Sequence, residues 1–163
     1  MVTRKFIKWD WLMRKQRMNK VYIFIKAPIK LKLRLIGVLV LSAYYRYLII
    51  HKDFLKISNK LGLYQVESKK EPNEAQLEEL KIIALSIKMV CSHTWWKSEC
   101  LVRAFIASYY LKRKGISGTV YMGVSRDNKG RMIAHAWTMC GQYSVTGGNG
   151  DNFTITGFWG IGL

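Results

Sequence analysis

Residues 100–139 read CLVRAFIASYYLKRKGISGTVYMGVSRDNKGRMIAHAWTM, and the spacing of the apolar residues changes within this stretch. The first part spaces its apolar residues as one face of a helix and stops at Gly115, a favourable residue after a helix C-terminus. Beyond Gly115 the period becomes that of a strand, and residues 127–130 supply a turn. The stretch therefore predicts a helix over 100–114 followed by an antiparallel pair of strands.

Segments on both sides of this stretch extend the same pattern. Asn73 precedes an acidic first turn and a helically spaced apolar run that reaches Met89, which predicts a second helix. Residues 64–73 are polar and contain Pro72, which predicts a linker. The predicted strands cover residues 119–124, 132–139, 143–146 and 153–158. Helices followed by antiparallel strands indicate an α+β domain.

Composition excludes several classes of protein. Half of the 163 residues are hydrophobic and 13% are aromatic, so the chain is not disordered as a whole. Three cysteines, an odd number, argue against a disulfide framework and for a reducing compartment. No signal peptide fits the N-terminus, and we expect a cytoplasmic protein, with contact to the inner face of the membrane as an option.

The net charge of +17 is unevenly distributed along the chain. Residues 1–60 hold 15 Lys/Arg and two acids, whereas residues 61–163 hold 12 Lys/Arg and eight acids. A high pI invites a nucleic-acid interpretation, but most of the excess charge belongs to an apolar N-terminal segment. We therefore predict a basic, amphipathic helical segment over 1–60, a catalytic domain over 61–163, and no nucleic-acid partner.

The apolar residues from Arg34 to about Leu55 predict one long helix in this segment. Its uncharged stretch from Leu35 to Tyr45 has only 11 residues, and a membrane-spanning helix needs roughly 20. Two interpretations remain: a helix packed on the domain, or a basic amphipathic segment that lies on anionic lipid or on an acidic partner.

Cys100 and His135 are the candidate nucleophile and base. A cysteine at a helix start faces unpaired N–H groups and the positive end of the helix dipole, which favour the thiolate. His135 lies in a predicted strand, which holds its ring rigidly, and a thiolate beside an imidazole is suited to attack on an acyl carbon. Taken alone, each of the two residues would also fit a buried structural role.

A third group should orient the imidazole through its other nitrogen. If the turn of the second hairpin is centred on residues 141–142, the residue opposite His135 is number 148. Asn149 is the nearest amide by position, and Asp151 is the nearest carboxylate. Both remain candidates.

Other clusters predict structure rather than chemistry. Cys91, His93 and Cys100 lie close in sequence but lack the paired spacing of a metal site, so we expect no metal and no cofactor. Trp96 and Trp137 are expected to form core or the wall of a substrate pocket.

Several motifs in a fixed order resemble the leader peptidases of lasso peptide biosynthesis. They are 96–104 (WKSECLVRA), 111–115 (LKRKG), 121–124 (YMGV), 134–137 (AHAW) and 145–148 (VTGG). These B-type proteins have a transglutaminase-like, papain-like cysteine-protease fold. In some of them the leader-recognition protein and the peptidase are two separate chains, and the basic N-terminus here resembles that of the peptidase half.

The resemblance implies that Cys100 is the nucleophile, that His135 is the base and that an acid shortly after the histidine orients it. The corresponding stretch here is Gly148-Asn149-Gly150-Asp151. It also implies the partners: the leader region of a precursor peptide, a small leader-recognition protein and an asparagine-synthetase-like lasso cyclase. The alternatives are an acyl-transferring enzyme of the transglutaminase type and a basic, non-catalytic binding or scaffold module.

Overall fold

The computed structural model describes residues 28–68 and 70–162. The chain divides into two compact units, Met1–Leu33 and Arg34–Leu163. In the first unit, the described residues 28–33 begin a helix, α1. The second unit contains the rest of α1 and every other described element.

Helices come first along the chain and strands dominate the second half. The helices are α1 (Ile29–His51), the short α2 (Phe54–Ile57) with a 3-10 turn (Ser58–Lys60), α3 (Glu74–Cys91) and α4 (Cys100–Lys114). The strands are β1 (Leu63–Tyr64), β2 (Gly118–Arg126), β3 (Met132–Cys140), β4 (Tyr143–Thr146) and β5 (Thr154–Ile161). The predicted α+β class is confirmed.

The five strands form one antiparallel sheet in the order β1-β5-β2-β3-β4. β2 and β3 pair along their whole length, and this pairing sets Gly123 opposite His135. β4 pairs only with the end of β3, from Thr138 to Cys140. At His135, therefore, the side of β3 that faces away from β2 has no strand partner, although Gly147 lies against it at Ala136; we call this side the open edge.

Helix α4 is the centre of the hydrophobic core. Its residues Val102, Ala104, Phe105, Ile106 and Ala107 are all almost fully buried, which is typical of a helix covered on more than one side. It packs mainly along β3, and it also contacts α3. Tyr45 of α1 stacks on Phe105 with ring centroids 5.0 Å apart.

The predicted helix ends are confirmed where local chemistry sets them. Asn73 caps α3: its side chain accepts from the Gln76 N–H at 2.8 Å, and the Gln76 side chain accepts from the Asn73 N–H at 3.1 Å. Gly115 ends α4 in the left-handed conformation, with φ 61°, which glycine adopts without steric cost.

The predictions for 64–73 and 1–60 fare differently. The linker begins with a strand residue, because Leu63 and Tyr64 pair with Gly160 and Trp159 of β5, a contact that no local pattern indicates. The boundary between residues 60 and 61 stays a prediction. The part of the basic segment that covers residues 1–27 lies outside the described residues.

Helix α1 has 23 residues and, by length and composition, is apolar enough to cross a membrane. The sequence count of uncharged residues gave the opposite expectation, because it stopped at Arg34 and Arg46. The helix also carries a packed face, since Val38, Ser42, Tyr45 and Leu48 are buried.

Candidate active site

Cys100 is the first residue of α4, at the position predicted from the sequence. The preceding residue, Glu99, has the extended conformation of a helix cap (φ −73°, ψ 179°), but its side chain makes no capping hydrogen bond. The side chain of Cys100 is half-buried and packs against the hydrophobic core. The first turn of α4 thus points N–H groups without a side-chain cap toward the surroundings of a thiol.

The loop before Cys100 is held by its own polar groups. The hydroxyls of Thr94 and Ser98 are 2.9 Å apart, and the Thr94 hydroxyl also donates to the Trp96 carbonyl at 3.2 Å. Arg103, one turn into α4, donates from Nε to the Ser98 carbonyl at 2.9 Å. This tie fixes the direction in which the loop enters the helix, and so the position of Cys100.

The two tryptophans of this loop differ in burial. Trp96 is half-buried, and its Nε1 donates to Ser42 Oγ of α1 at 3.2 Å. Trp95 packs edge-on against Trp96 and is 94% exposed. Trp96 therefore anchors the loop, while Trp95 presents the larger apolar surface near the cysteine.

His135 is held by a main-chain group. Its Nε2 lies 2.7 Å from the carbonyl oxygen of Gly147, in the loop after β4. A carbonyl can only accept, so Nε2 carries the hydrogen, and the lone pair of the neutral ring is at Nδ1. The ring is therefore in the tautomer that a base needs, with Nδ1 as the atom that takes a proton.

His135 shares a sheet face with a cluster of aromatic residues. It stacks with Trp137 at a centroid distance of 6.1 Å and contacts Phe153 at 5.0 Å, and Trp137 stacks on Tyr121 at 5.6 Å. Trp137 is only 3% exposed but does not belong to the main core. We refer to these four residues as the aromatic cluster.

The other face of β3 meets the helices. Ala136 and Cys140 alternate with His135 and Trp137 along the strand, and both belong to the main core. A Cβ built at Gly118 would lie 2.7 Å from Cys140 Sγ and 3.5 Å from Leu111 of α4. Helix α4, and with it Cys100, packs on this face.

Cys100 and His135 each precede, by a similar length along their own elements, the point where α4 meets β3. Starting from the contact of Leu111 with the Cys140 end of β3, Cys100 is about 16 Å back along α4. His135 is likewise about 16 Å back along β3. Within residues 28–68 and 70–162, no hydrogen bond joins the thiol to the imidazole. His135 lies on the face of β3 that carries Trp137, whereas α4, which carries Cys100, packs on the opposite face.

Asn149 and Asp151, the candidates for the orienting group, contact each other. Asn149 Nδ2 donates to Asp151 Oδ2 at 2.5 Å, and the group that reaches His135 is the Gly147 carbonyl. The hairpin count holds at the turn, where Cys140 pairs with Tyr143, but an extra residue in β4 then shifts the register. The ladder ends at Thr146, and the next residue makes the contact.

A cavity of about 280 Å³ opens beside the aromatic cluster, and residues that the sequence did not single out help to line it. Tyr121 donates to the carboxylate of Glu67 at its rim. Burial and the neighbouring Glu67 raise the pKa of Tyr121 to about 12, so the phenol keeps its proton at neutral pH. Trp137 forms one wall of this cavity, whereas Trp96 is not among its lining residues.

The two remaining cysteines are buried. Burial raises the pKa of the Cys140 thiol to about 12. Burial also raises the pKa of Cys91, against the opposing effects of Arg103 and a hydrogen bond with Ser98. Both thiols therefore stay protonated at neutral pH, and both side chains belong to the hydrophobic core.

Comparison with protein families gives one match, and it covers both candidate residues. The model of the Transglutaminase-like superfamily matches residues 43–156, well over half of the chain. No curated protein and no solved structure matches the sequence. The matched range runs from α1 into β5 and contains the helix start at Cys100, the strand at His135 and the loop at Gly147. The chain belongs to the transglutaminase-like superfamily, whose members are usually cysteine-protease-like enzymes.

Proposed function

We propose that this protein is a cysteine peptidase that removes the leader from a ribosomally made lasso precursor peptide. The observation that carries the proposal is a cysteine at the start of the central helix of a transglutaminase-like domain, with no side-chain cap on that helix start. The order of the motifs around Cys100 and His135 supports the lasso leader peptidase in particular.

The reaction needs a nucleophile and a base on either side of the scissile peptide bond. The Cys100 thiolate attacks the carbonyl carbon, and the N–H groups of the first turn of α4 stabilise the oxyanion. The His135 imidazole takes up the proton of the Cys100 thiol and, as the imidazolium, returns it to the leaving amine, which is the N-terminus of the core peptide. Water then attacks the thioester and releases the leader as a free carboxylate.

The open edge of β3 is where a peptide can reach both groups. The Gly147 carbonyl holds Nε2–H, so the proton is exchanged at Nδ1. We propose that the bound substrate lies along this edge and that the imidazole rotates around the edge of β3 toward Cys100. Asn149 and Asp151 shape the loop that carries the Gly147 carbonyl.

The partners follow from the same proposal. The leader region of the precursor is the substrate, a small leader-recognition protein presents it, and an asparagine-synthetase-like cyclase closes the ring on the freed amine. We propose that this takes place in the cytoplasm. No metal or cofactor enters the proposed steps.

The test is mass spectrometry of a candidate precursor mixed with the full chain, with and without the leader-recognition protein. We expect Cys100→Ala and His135→Ala to lower cleavage by on the order of 10³-fold or more, and the double variant to be no worse than either single variant. Cys140→Ala and His51→Ala are the matched controls, since neither lies at the proposed site.

The products distinguish the proposal from its rival. Hydrolysis leaves a leader that ends in a free carboxylate, whereas acyl transfer leaves an amide formed with an added amine. Full cleavage by Cys100→Ala would exclude thiol catalysis, and amide as the main product would make the protein an acyltransferase.

A further inference from the structure

Helix α1 exposes an apolar stripe along its outer side. The stripe consists of Ile36, Val40, Tyr44, Tyr47 and Ile50, each between 44% and 61% exposed. Steps of three and four residues put all five on one side of the helix. Single exposed apolar residues are ordinary on a protein surface, but a contiguous row of five marks a contact site. We call these five residues the outer stripe.

The opposite side of α1 is fixed to the domain. Tyr45 stacks on Phe105, Ser42 accepts from Trp96, and Arg34 forms an ion pair with Glu79 at 2.5 Å. Burial opposes the ionisation of Glu79, but hydrogen bonds from Arg34 and Lys114 outweigh it and lower the pKa of Glu79. The ion pair therefore persists at neutral pH, and the outer stripe keeps facing outward.

The sequence that contains the outer stripe, and the sequence before and after it, are rich in positive charge. Helix α1 contains four Lys/Arg, one histidine and no acid. The 27 residues before Pro28 carry eight Lys/Arg and one acid, Asp10. Beyond the helix, Lys52 is exposed, and the next acid along the chain, Asp53, is paired with Lys56. A partner for this surface must be apolar and negatively charged at once.

We propose that the outer stripe of α1 docks the protein on the surface of an anionic lipid bilayer. An amphipathic helix lying in the interface buries its apolar side at the boundary between headgroups and acyl chains, and neighbouring basic residues attract anionic lipid. Tyr44 and Tyr47 fit this depth, because tyrosine is enriched where membrane meets water.

The helix lies on the bilayer and does not cross it. Crossing would require Ser42, Tyr45 and Leu48 to leave the core and would break the Arg34–Glu79 ion pair inside lipid, where an unpaired charge is costly. The length and composition of α1 are sufficient for a membrane-spanning helix, but part of its apolar surface is already buried against the rest of the domain.

The experiment measures sedimentation of the full chain with vesicles. Neutral phosphatidylcholine vesicles are compared with vesicles that also contain phosphatidylglycerol. We expect binding only to the anionic vesicles, and its loss at high salt. The triple variant V40Q/Y47Q/I50Q should bind at least about tenfold more weakly, because it removes apolar area that inserts into the interface.

The matched control changes three exposed apolar residues on another helix. Ile82, Leu85 and Met89 of α3 are 38–46% exposed, and I82Q/L85Q/M89Q should bind as the unaltered chain does. An equal loss of vesicle binding in both triple variants, or equal binding of the unaltered chain to neutral vesicles, would overturn the proposal. A dimer that forms without lipid and is disrupted in V40Q/Y47Q/I50Q would also overturn it. Resistance of the bound protein to alkaline carbonate would overturn it in favour of a spanning helix. The readout is independent of peptidase activity.

Discussion

The surroundings of Cys100 and those of His135 are built by different kinds of interaction. Cys100 is placed by its own segment: a helix start, a cap residue and a loop tied by Arg103 to the Ser98 carbonyl. His135 is placed by residues farther along the chain, since the Gly147 carbonyl holds its ring and Phe153 packs against it.

This difference explains why one placement follows from the sequence and the other does not. A helix start is a local feature that cap and period determine within a few residues. The face of a sheet on which a side chain lies depends on register and on which elements pack where. Changes near Cys100 therefore probe local interactions, whereas changes near His135 probe tertiary contacts.

The first prediction compares Cys100 with the other two thiols. Iodoacetamide at neutral pH should modify Cys100 at least about 100-fold faster than Cys91 or Cys140, because only a thiolate reacts and burial raises the pKa of both other thiols. A raised pKa lowers the fraction of a thiol that is thiolate at neutral pH, so the two buried thiols react more slowly. Peptide mapping by mass spectrometry after timed quenching measures the three rates.

The control for alkylation is the Cys100→Ala variant, which should take up no label on the same time scale. Equal labelling of Cys91 in the folded protein would show that the end of α3 is as accessible as the start of α4. In that event the contrast between the buried thiols and Cys100 disappears.

Much of the fold could be predicted because local sequence patterns indicate most of its helices and strands. The capping box at Asn73 and the left-handed Gly115 fix the start of α3 and the end of α4, and both ends lie where the sequence puts them. Strand β1 was missed because two residues carry no period, and Leu63 and Tyr64 become strand only by pairing with β5. Pairing partners far along the chain are invisible to a local pattern.

The sequence proposes candidate residues for the site, but the contacts of those residues come only from the structure. The chemistry of Cys100 and His135 is readable, whereas the sheet face of His135 follows from the burial of Ala136 on the opposite face. The hairpin count reached residue 148, and the Gly147 carbonyl is what touches the ring. A main-chain group leaves no residue type to search for, so the nearby side chains Asn149 and Asp151 were the natural candidates.

The second prediction tests the Gly147 support of His135. Gly147 has φ +80°, and an added Cβ would lie 2.5 Å from the Ala136 carbonyl and 2.8 Å from Trp137 Cβ. Gly147→Ala should therefore lower the free energy of unfolding by about 2–4 kcal/mol, from left-handed strain together with overlap. Urea denaturation followed by fluorescence measures the change.

Gly148 is the matched control for this substitution. It has φ +76°, but an added Cβ there would meet nothing within 4 Å. Gly148→Ala should cost about 1–2 kcal/mol from backbone strain alone. If the two variants are equally stable, the close packing of residue 147 against β3 is not what holds the loop.

The third and smallest effect is expected for the side chains of Asn149 and Asp151. Because Asn149 donates to Asp151 and the Gly147 carbonyl holds the ring, Asn149→Ala and Asp151→Ala should each lower the leader-removal rate by less than about 3-fold. The double variant should match the singles, because bonded partners lose the same contact. Asn152→Ala, in the same loop, is the control. A loss of about 100-fold or more for Asp151→Ala alone would mean that its carboxylate replaces the carbonyl at Nε2 when substrate is bound, since an orienting acid contributes on that scale. Asp151 would then be a positioning residue for His135 and Asn149 would not. The group that orients His135 could in that case be predicted from its residue type, as the helix start at Cys100 can.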